Sequence, residues 1–174
     1  SKIYSVHVSK YGEIWWFYPS SGSNENDSYV TFNYRENHWN IGLLARLAGT
    51  DSGVFTYPLM VSSTGYIYEH EVGFAYDSAS LYAESGPIQL GNGDNIMSVR
   101  QVVPDEQTLG EAVVSFKTRN YPTGTQSTFG PYTAANPTSV RFSGRQVNMR
   151  VTGNTLADWR VGVMRLDAIP AGKR

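Results

Sequence analysis

The stretch "GEIWWFYPSS", residues 12–21, places Ile14, Trp15, Trp16, Phe17 and Tyr18 in five consecutive positions. Successive side chains of a strand point to opposite sides, so a strand with one wet face alternates apolar and polar residues. This stretch has no polar side. As a strand it needs cover on both. A core, a bound ligand such as a sugar, or a neighbouring copy in a larger assembly would each provide that cover, and each implies a different function.

The rest of the chain supports a β reading. Among 174 residues there are 12 Tyr, 7 Phe and 4 Trp, with 17 Gly and 8 Pro. Aromatic residues favour strands, and Gly and Pro punctuate turns. No helical period runs longer than about a dozen residues. The length suits one domain or two small ones with a real core. There is no cysteine, which excludes a disulfide framework and thiolate zinc sites. No apolar run is long enough for a bilayer-spanning helix, and no signal-peptide pattern is present. The chain starts at Ser1 rather than Met, directly in strand-like sequence. It is expected to be a fragment or processed product of a longer chain.

Net charge is −1, unevenly distributed. Residues 1–140 hold seven Lys and Arg against thirteen Asp and Glu, and residues 141–174 hold seven against two. These totals argue against an overall basic nucleic-acid binder. The basic tail reads as a solvated strand face or an interface with acidic neighbours.

Two regions are expected, residues 1–86 and 87–174. In the first, residues 13–18, 29–35 and 38–44 read as three short strands of an antiparallel meander. "SSGSNENDS", residues 20–28, is a polar connection with turn chemistry. Val30, Phe32 and Tyr34 alternate with Thr31, Asn33 and Arg35. "YPLMVSSTGYIYEHEVGF", residues 57–74, reads as strand, turn, strand and return. Its "TGYIYEHE" echoes "YGEIWWFYP", a glycine followed by an aromatic strand, as in propeller blades. At most about two blades are present, too few to close a propeller.

In the second region, strands are expected at 95–103, within "GEAVVSFKTRNYP", residues 110–122, and over 140–152 and 158–168, with a short strand before the "GNGD" turn. Residues 123–139 read as a long loop. Such strands fit a β-sandwich or partly open barrel. The 140–152 strand changes parity: Val140 and Phe142 face one way, and Val147, Met149 and Val151 the other. A one-residue slip flips every side chain, so a β-bulge at Gly144–Arg145 is expected. Arg141, Ser143, Gln146, Asn148 and Arg150 then share a polar face. A similar flip separates Trp159, Val161 and Val163 from Met164 and Leu166. The fold class is therefore all-β, a partial propeller-like antiparallel meander followed by a β-sandwich or partly open barrel.

Catalytic signals are weak. His7, His38 and His70 lack metal-pair spacing, and His70 in "YEHE" reads as a surface histidine. Asp77 with Asp94, or Asp105 with Glu106, are the carboxylate pairs available, but no spacing brings two within the reach a glycosidase needs. "VVPDEQ" and "GNGD" read as turns. No nucleophile elbow, P-loop or dinucleotide motif occurs. No catalytic residue, metal ligand or cofactor is expected. Trp15, Trp16, Trp39, Tyr66 and Tyr68 are the candidate aromatics, either packed at a core or subunit interface or forming a sugar-stacking platform. Arg141, Arg145 and Arg150 are the candidate basic face.

The C-terminal "VRFSGRQVNMRVTGN", residues 140–154, and "DWRVGVMRLDAIPAGKR", residues 158–174, resemble the ending of a family of tail proteins of short-tailed bacteriophages and prophages. These are the tail hub or nozzle proteins, tail tubular protein B-like or DNA-stabilisation-type. "GRQ" after a short basic strand, the "W-R-x-G-x-x-R-L-D" strand and the terminal "G-K-R" carry the likeness. The upstream order "YVTFNYRENHW", "TGYIYEHEVG", "SGPIQLGNGDNIMSVRQVVPDE" extends it over most of the chain, which is shorter than such proteins.

The resemblance implies a virion structural protein, not an enzyme. It implies a ring of self-copies, hexameric in the full assembly, in contact with the portal or adaptor and other tail proteins. Genomic DNA would pass through the lumen without sequence-specific binding. Ring contacts are heterologous and close on rotation. A conduit must not grip its cargo through salt-sensitive phosphate contacts, so residues 1–140 are expected to contribute more lumen surface, with Arg141, Arg145 and Arg150 facing outward or toward neighbours. The alternative is a carbohydrate- or receptor-binding β-module, a tail adhesin, marked by at least two exposed aromatic rings side by side.

Overall fold

The computed structural model describes residues 2–74, 81–134, 136–153 and 158–172. It divides into two units, Ser1–Ala75 and Tyr76–Arg174. Every regular element among the described residues is a strand, and all pairing between strands is antiparallel. The chain is all-β.

The first unit opens with a four-stranded meander of β1 (Tyr4–Val8), β2 (Glu13–Tyr18), β3 (Ser28–Asn33) and β4 (His38–Leu43), in the order β1-β2-β3-β4. Local chemistry sets its connections. Gly12, with φ of 70°, takes the left-handed conformation between β1 and β2. The polar connection after β2 is closed by Asp27, whose carboxylate accepts from the Ser20 amide at 2.7 Å and the Ser20 hydroxyl at 2.6 Å. Between β3 and β4 the Asn33 side chain accepts from the Arg35 and Glu36 amides, each at 3.0 Å, as Asn does in tight turns.

Register assigns the two faces of the meander. One row runs Tyr4, Phe17, Tyr29 and Gly42, and a second Val6, Trp15, Thr31 and Asn40. The opposite face holds the rows Ser5, Trp16, Val30, Ile41 and His7, Ile14, Phe32, Trp39. The first face is covered by a second sheet, β5 (Ala48–Thr50), β6 (Leu59–Val61) and β7 (Ile67–Glu69), in the order β5-β6-β7. Fully buried Met60 of β6 packs with Val6, Val8, Trp15 and Phe17, flanked by Tyr4, Tyr29 and Leu44. Tyr4 stacks on Phe17 at 5.1 Å and Trp15 on Tyr29 at 4.9 Å between ring centroids. Gly42 is a glycine because the Tyr29 ring crosses the space a Cβ would need.

The second unit contains β8 (Tyr82–Glu84), β9 (Ile88–Gln89), β10 (Ile96–Pro104), β11 (Ala112–Arg119), β12 (Ser127–Thr133), β13 (Thr138–Gly144), β14 (Gln146–Gly153) and β15 (Met164–Gly172). One sheet runs β13-β10-β15 and the other β12-β11-β14-β8, with β9 also on β14. Their inner faces enclose Val99, Val102, Ala112, Val114, Phe116, Val140, Phe142, Val147 and Val151. Phe116 meets Phe142 at 4.7 Å and Phe142 meets Phe129 at 5.6 Å. Their outer faces are polar: Ser115, Lys117 and Arg119 of β11 stand beside Arg150, Asn148 and Gln146 of β14. This is a sandwich-like packing of two open sheets.

Several expectations change. The boundary at 86/87 comes too late, because residues 82–84 pair with 150–152, a partner visible only in three dimensions. The expected loop over 123–139 contains β12, which pairs with β11. The meander has a strand before residue 13, and β5 adds a third strand to the second sheet. The parity change at Gly144–Arg145 is not a bulge in one ladder. β13 pairs with β10, and β14 pairs with β11 in the other sheet. Arg145 is the corner: its amide donates to Arg119 O at 3.2 Å and its carbonyl accepts from Leu90 N at 2.8 Å. Strands that switch sheets turn at such corners. The second flip also marks a change of path. Residues 158–163 lie before β15, which begins at Met164, and Asp105 and Thr108 take up the Val163 and Gly162 amides.

Candidate functional site

The five candidate aromatics do not form one cluster. Trp15 is in the core of the first unit at 9 % exposure, and its indole N–H donates to Glu13 at 2.8 Å. Trp16, its neighbour in sequence, faces the other way. It stacks with Trp39 at 5.9 Å and an interplanar angle of 27°, and Trp39 meets Phe32 at 4.6 Å. Tyr68 lies on β7, opposite Met60, with the Arg46 guanidinium 4.6 Å from its ring centroid. Tyr66 precedes β7 and is exposed.

The structural site of interest is therefore the second face of the meander. Ile14, Trp16, Tyr18, Val30, Phe32, Trp39, Ile41 and Leu43 share it. Trp39 is 62 % exposed, and Ile41 and Leu43 are each 79 % exposed. An aromatic side chain alone has about 150–250 Å² to bury. With Ile41 and Leu43, the open apolar patch is on the order of a few hundred Å².

This face continues to a free edge. Leu44 N donates to Asp27 O at 2.9 Å, so in the alternating antiparallel pattern residues 42, 40 and 38 turn their backbone groups toward β3. The N–H and C=O groups of Trp39, Ile41 and Leu43 consequently point outward. Among the described residues β4 has no second strand partner. Residues 39–43 carry no charge or proline, the usual protection of an edge strand.

Electrostatics single out another place that sequence spacing did not reveal. Glu71 lies within electrostatic reach of Glu13, which is 58 positions earlier in the chain. Burial, and secondarily the Glu13 charge, raise the Glu71 pKa above the ordinary carboxylate value. Burial also raises the Tyr4 hydroxyl to about 12, and that hydroxyl has no hydrogen-bond partner among the described residues. Glu13 is held by Trp15 and by Asn33 at 3.5 Å, which fixes it as part of the packing around the indole.

The three candidate arginines do not share a face. Arg141 is exposed on β13. Arg145, at the corner, lies 5.4 Å from the Tyr121 ring centroid. Arg150, on β14, pairs with Glu84 at 3.5 Å and lies 3.7 Å from the Tyr82 ring centroid. Lys117 joins the same Glu84 at 2.7 Å. The sheet switch at Arg145 separates them.

The histidines are engaged locally. His7 Nε2 and the Tyr34 hydroxyl are 3.1 Å apart, with Asp51 3.8 Å from His7 Nδ1. His38 lies 3.5 Å from Glu36. His70, expected on the surface, is half-buried and accepts from Arg46 Nε at 2.9 Å. The described residues hold no group of three or more His, Asp or Glu placed to hold a metal. Of the carboxylate pairs considered, Asp77 lies outside the described residues. Asp105 accepts from the Val163 amide at 2.8 Å, the Gln107 amide at 3.1 Å and the Thr108 hydroxyl at 3.2 Å. These bonds, the Val163 amide foremost, lower its pKa. Its work is to hold the approach to β15.

Comparison with protein-family models and with curated proteins found no match.

Proposed function

We propose that the chain is a structural component of a larger β-assembly and that its meander face is an assembly contact. The carrying observation is the open apolar face of Trp16, Phe32, Trp39, Ile41 and Leu43, which ends in an unpaired edge. Fully burying an aliphatic side chain such as Ile41 or Leu43 stabilises by about 1.5–3 kcal/mol. The opposite face of the same sheet is already buried by β5-β6-β7, so face-to-face packing of a neighbouring sheet suits its geometry.

The specific form of the proposal is a tail hub or nozzle component of a short-tailed phage virion. It associates with its own copies in a ring and with portal, adaptor and tail proteins, around DNA held without sequence readout, and it performs no catalysis. This finer reading is supported by the C-terminal sequence pattern.

A second reading has one observation in its favour. Trp16 and Trp39 are side by side, and Trp39 is open to solvent, as a carbohydrate platform requires. Against it, the polar groups of this face, Ser5 and His7, stand on β1, while Trp39 is flanked by Phe32 and Ile41, where a sugar site needs convergent polar groups.

Sedimentation velocity over a concentration series, paired with a glycan array, separates the two. The assembly reading expects reversible self-association that is abolished by Ile41→Lys with Leu43→Lys, and a blank array. A monomer at all concentrations that binds glycans, with binding lost in Trp39→Ala, would sink the assembly reading.

A further inference from the structure

The second unit carries an open groove of about 720 Å³ along the β10–β13 ladder, lined by Ser98, Arg100, Phe129, Ser139, Arg141 and Ser143 among others. It is independent of the meander face. Its position coincides with a break in the sheet. β10 loses register between Val99 and Gln101 against β13 on one side and β15 on the other. Arg100 falls in both breaks. On β13, Val140 and Arg141 are the residues skipped between Phe142, opposite Val99, and Ser139, opposite Gln101. Bulges of this kind re-aim side chains and recur beside functional sites.

The break brings two guanidinium-bearing residues to the same stretch of ladder. Like charges opposed across strands are destabilising. Both arginines are exposed, and neither makes an ion pair among the described residues. The nearest carboxylate by register, Asp167, stands opposite Gln101 and does not form an ion pair with either. In contrast, Arg150 and Lys117 on the other sheet converge on Glu84. Ser98 and Ser143 face each other across the ladder, and with Ser139 they add hydroxyl donors to the groove. Arginine's planar fork is matched to oxyanion geometry.

We propose that this groove binds the oxyanion group of a small organic ligand (a phosphate, sulfate or carboxylate) between Arg100 and Arg141, with the serine hydroxyls as further donors. The anion supplies the negative charge that the described residues do not pair with these two arginines. The groove volume lies in the range of organic-ligand pockets rather than that of a bare ion.

The test uses the full chain labelled with ¹⁵N, following arginine Nε–H signals and, in variants that lack those arginines, the backbone amide signals of the groove residues Ser98, Ser139 and Ser143. Inorganic phosphate, sulfate and acetate are each titrated against sodium chloride at matched ionic strength. The expected result is a saturable shift at Arg100 and Arg141 for at least one oxyanion, with Arg165 unmoved. Binding should weaken about tenfold in Arg141→Gln and vanish in Arg100→Gln with Arg141→Gln. Both positions are exposed, and the amide spectrum of the double variant checks that the fold is kept. Arg100→Lys with Arg141→Lys, which retains charge but not the fork, should bind more weakly than the parent. Phosphate or sulfate without acetate would assign a tetrahedral ligand group, and acetate alone a carboxylate. Shifts that track ionic strength only, that appear equally at Arg165, or that survive the double glutamine variant would overturn the proposal.

Discussion

The two units solve the same problem differently. In the second, β11 alternates strictly: Ala112, Val114, Phe116 and Thr118 are buried, while Ser115, Lys117 and Arg119 face out beside Arg150, Asn148 and Gln146. In the first, β2 has no polar side. Trp15 and Phe17 are buried under β6, yet Trp16 joins Trp39 on a face that stays open. Alternation reports how many faces the chain covers by itself. Where alternation fails without a second layer, an apolar face is left uncovered within the unit.

Mutations can break or sharpen that contrast. The largest effect is expected in the cores. Phe116→Ala in the second unit and Phe17→Ala in the first should each cost about 3–5 kcal/mol in urea unfolding, because both side chains are fully buried. Trp39→Ala, on the open face, should change monomer stability by no more than about 0.5 kcal/mol. A loss of several kcal/mol there, at a concentration where the chain is monomeric, would erase the difference between the faces.

Gly42→Ala comes next. Its Cβ would run into the Tyr29 ring, and such overpacking costs about 1–3 kcal/mol. Calorimetry that shows no drop in Tm would mean the Tyr29 ring moves freely. Tyr4→Phe should have the opposite sign. It keeps the stack on Phe17 and removes a buried hydroxyl without a partner among the described residues, so a gain on the order of 1 kcal/mol is expected in denaturant titration.

The smallest effects are pH-dependent and have opposite directions in the two units. Glu71 has a raised pKa, so its ionised form is penalised in the folded state. The penalty is present at neutral pH and is relieved as pH falls through the folded pKa. Glu71→Gln should therefore raise Tm at pH 7, with the gain fading on acidification. Asp105 has a lowered pKa. Its stabilisation is present above the unfolded value and is lost as pH falls through the depressed one. Asp105→Asn should lower Tm at pH 7 and converge with the parent in acid. Melting curves across pH that show parallel offsets for either variant would contradict its assignment.

Local chemistry made part of this legible in the sequence. β2 is bounded as expected because Gly12 and Pro19 flank an aromatic run. The inner face of β11 follows from strict alternation. The parity change between Phe142 and Val147 located a real event, but parity cannot distinguish a bulge from a strand that leaves its sheet. That depends on the partners, β10 and β11, far away in the chain. For the same reason the exposed "LYAES" segment hid β8, whose pairing with β14 spans more than sixty residues. The five aromatics looked like one cluster because position in sequence does not tell which of two faces a row of rings occupies. Glu71 within electrostatic reach of Glu13 had no local signal.

The corner at Gly144–Arg145 has a kinetic consequence. Residues 138–153 form one continuous run that belongs to both sheets of the second unit, and the run pairs backward with β8, β9, β10 and β11. Almost all of its contacts are distant in sequence, so loop-closure entropy must be spent before they form. The two sheets are therefore expected to appear together late in folding, on the millisecond-to-second scale of high-contact-order β-proteins. A growing chain that stops short of residue 138 lacks the piece that joins one half of that core to the other.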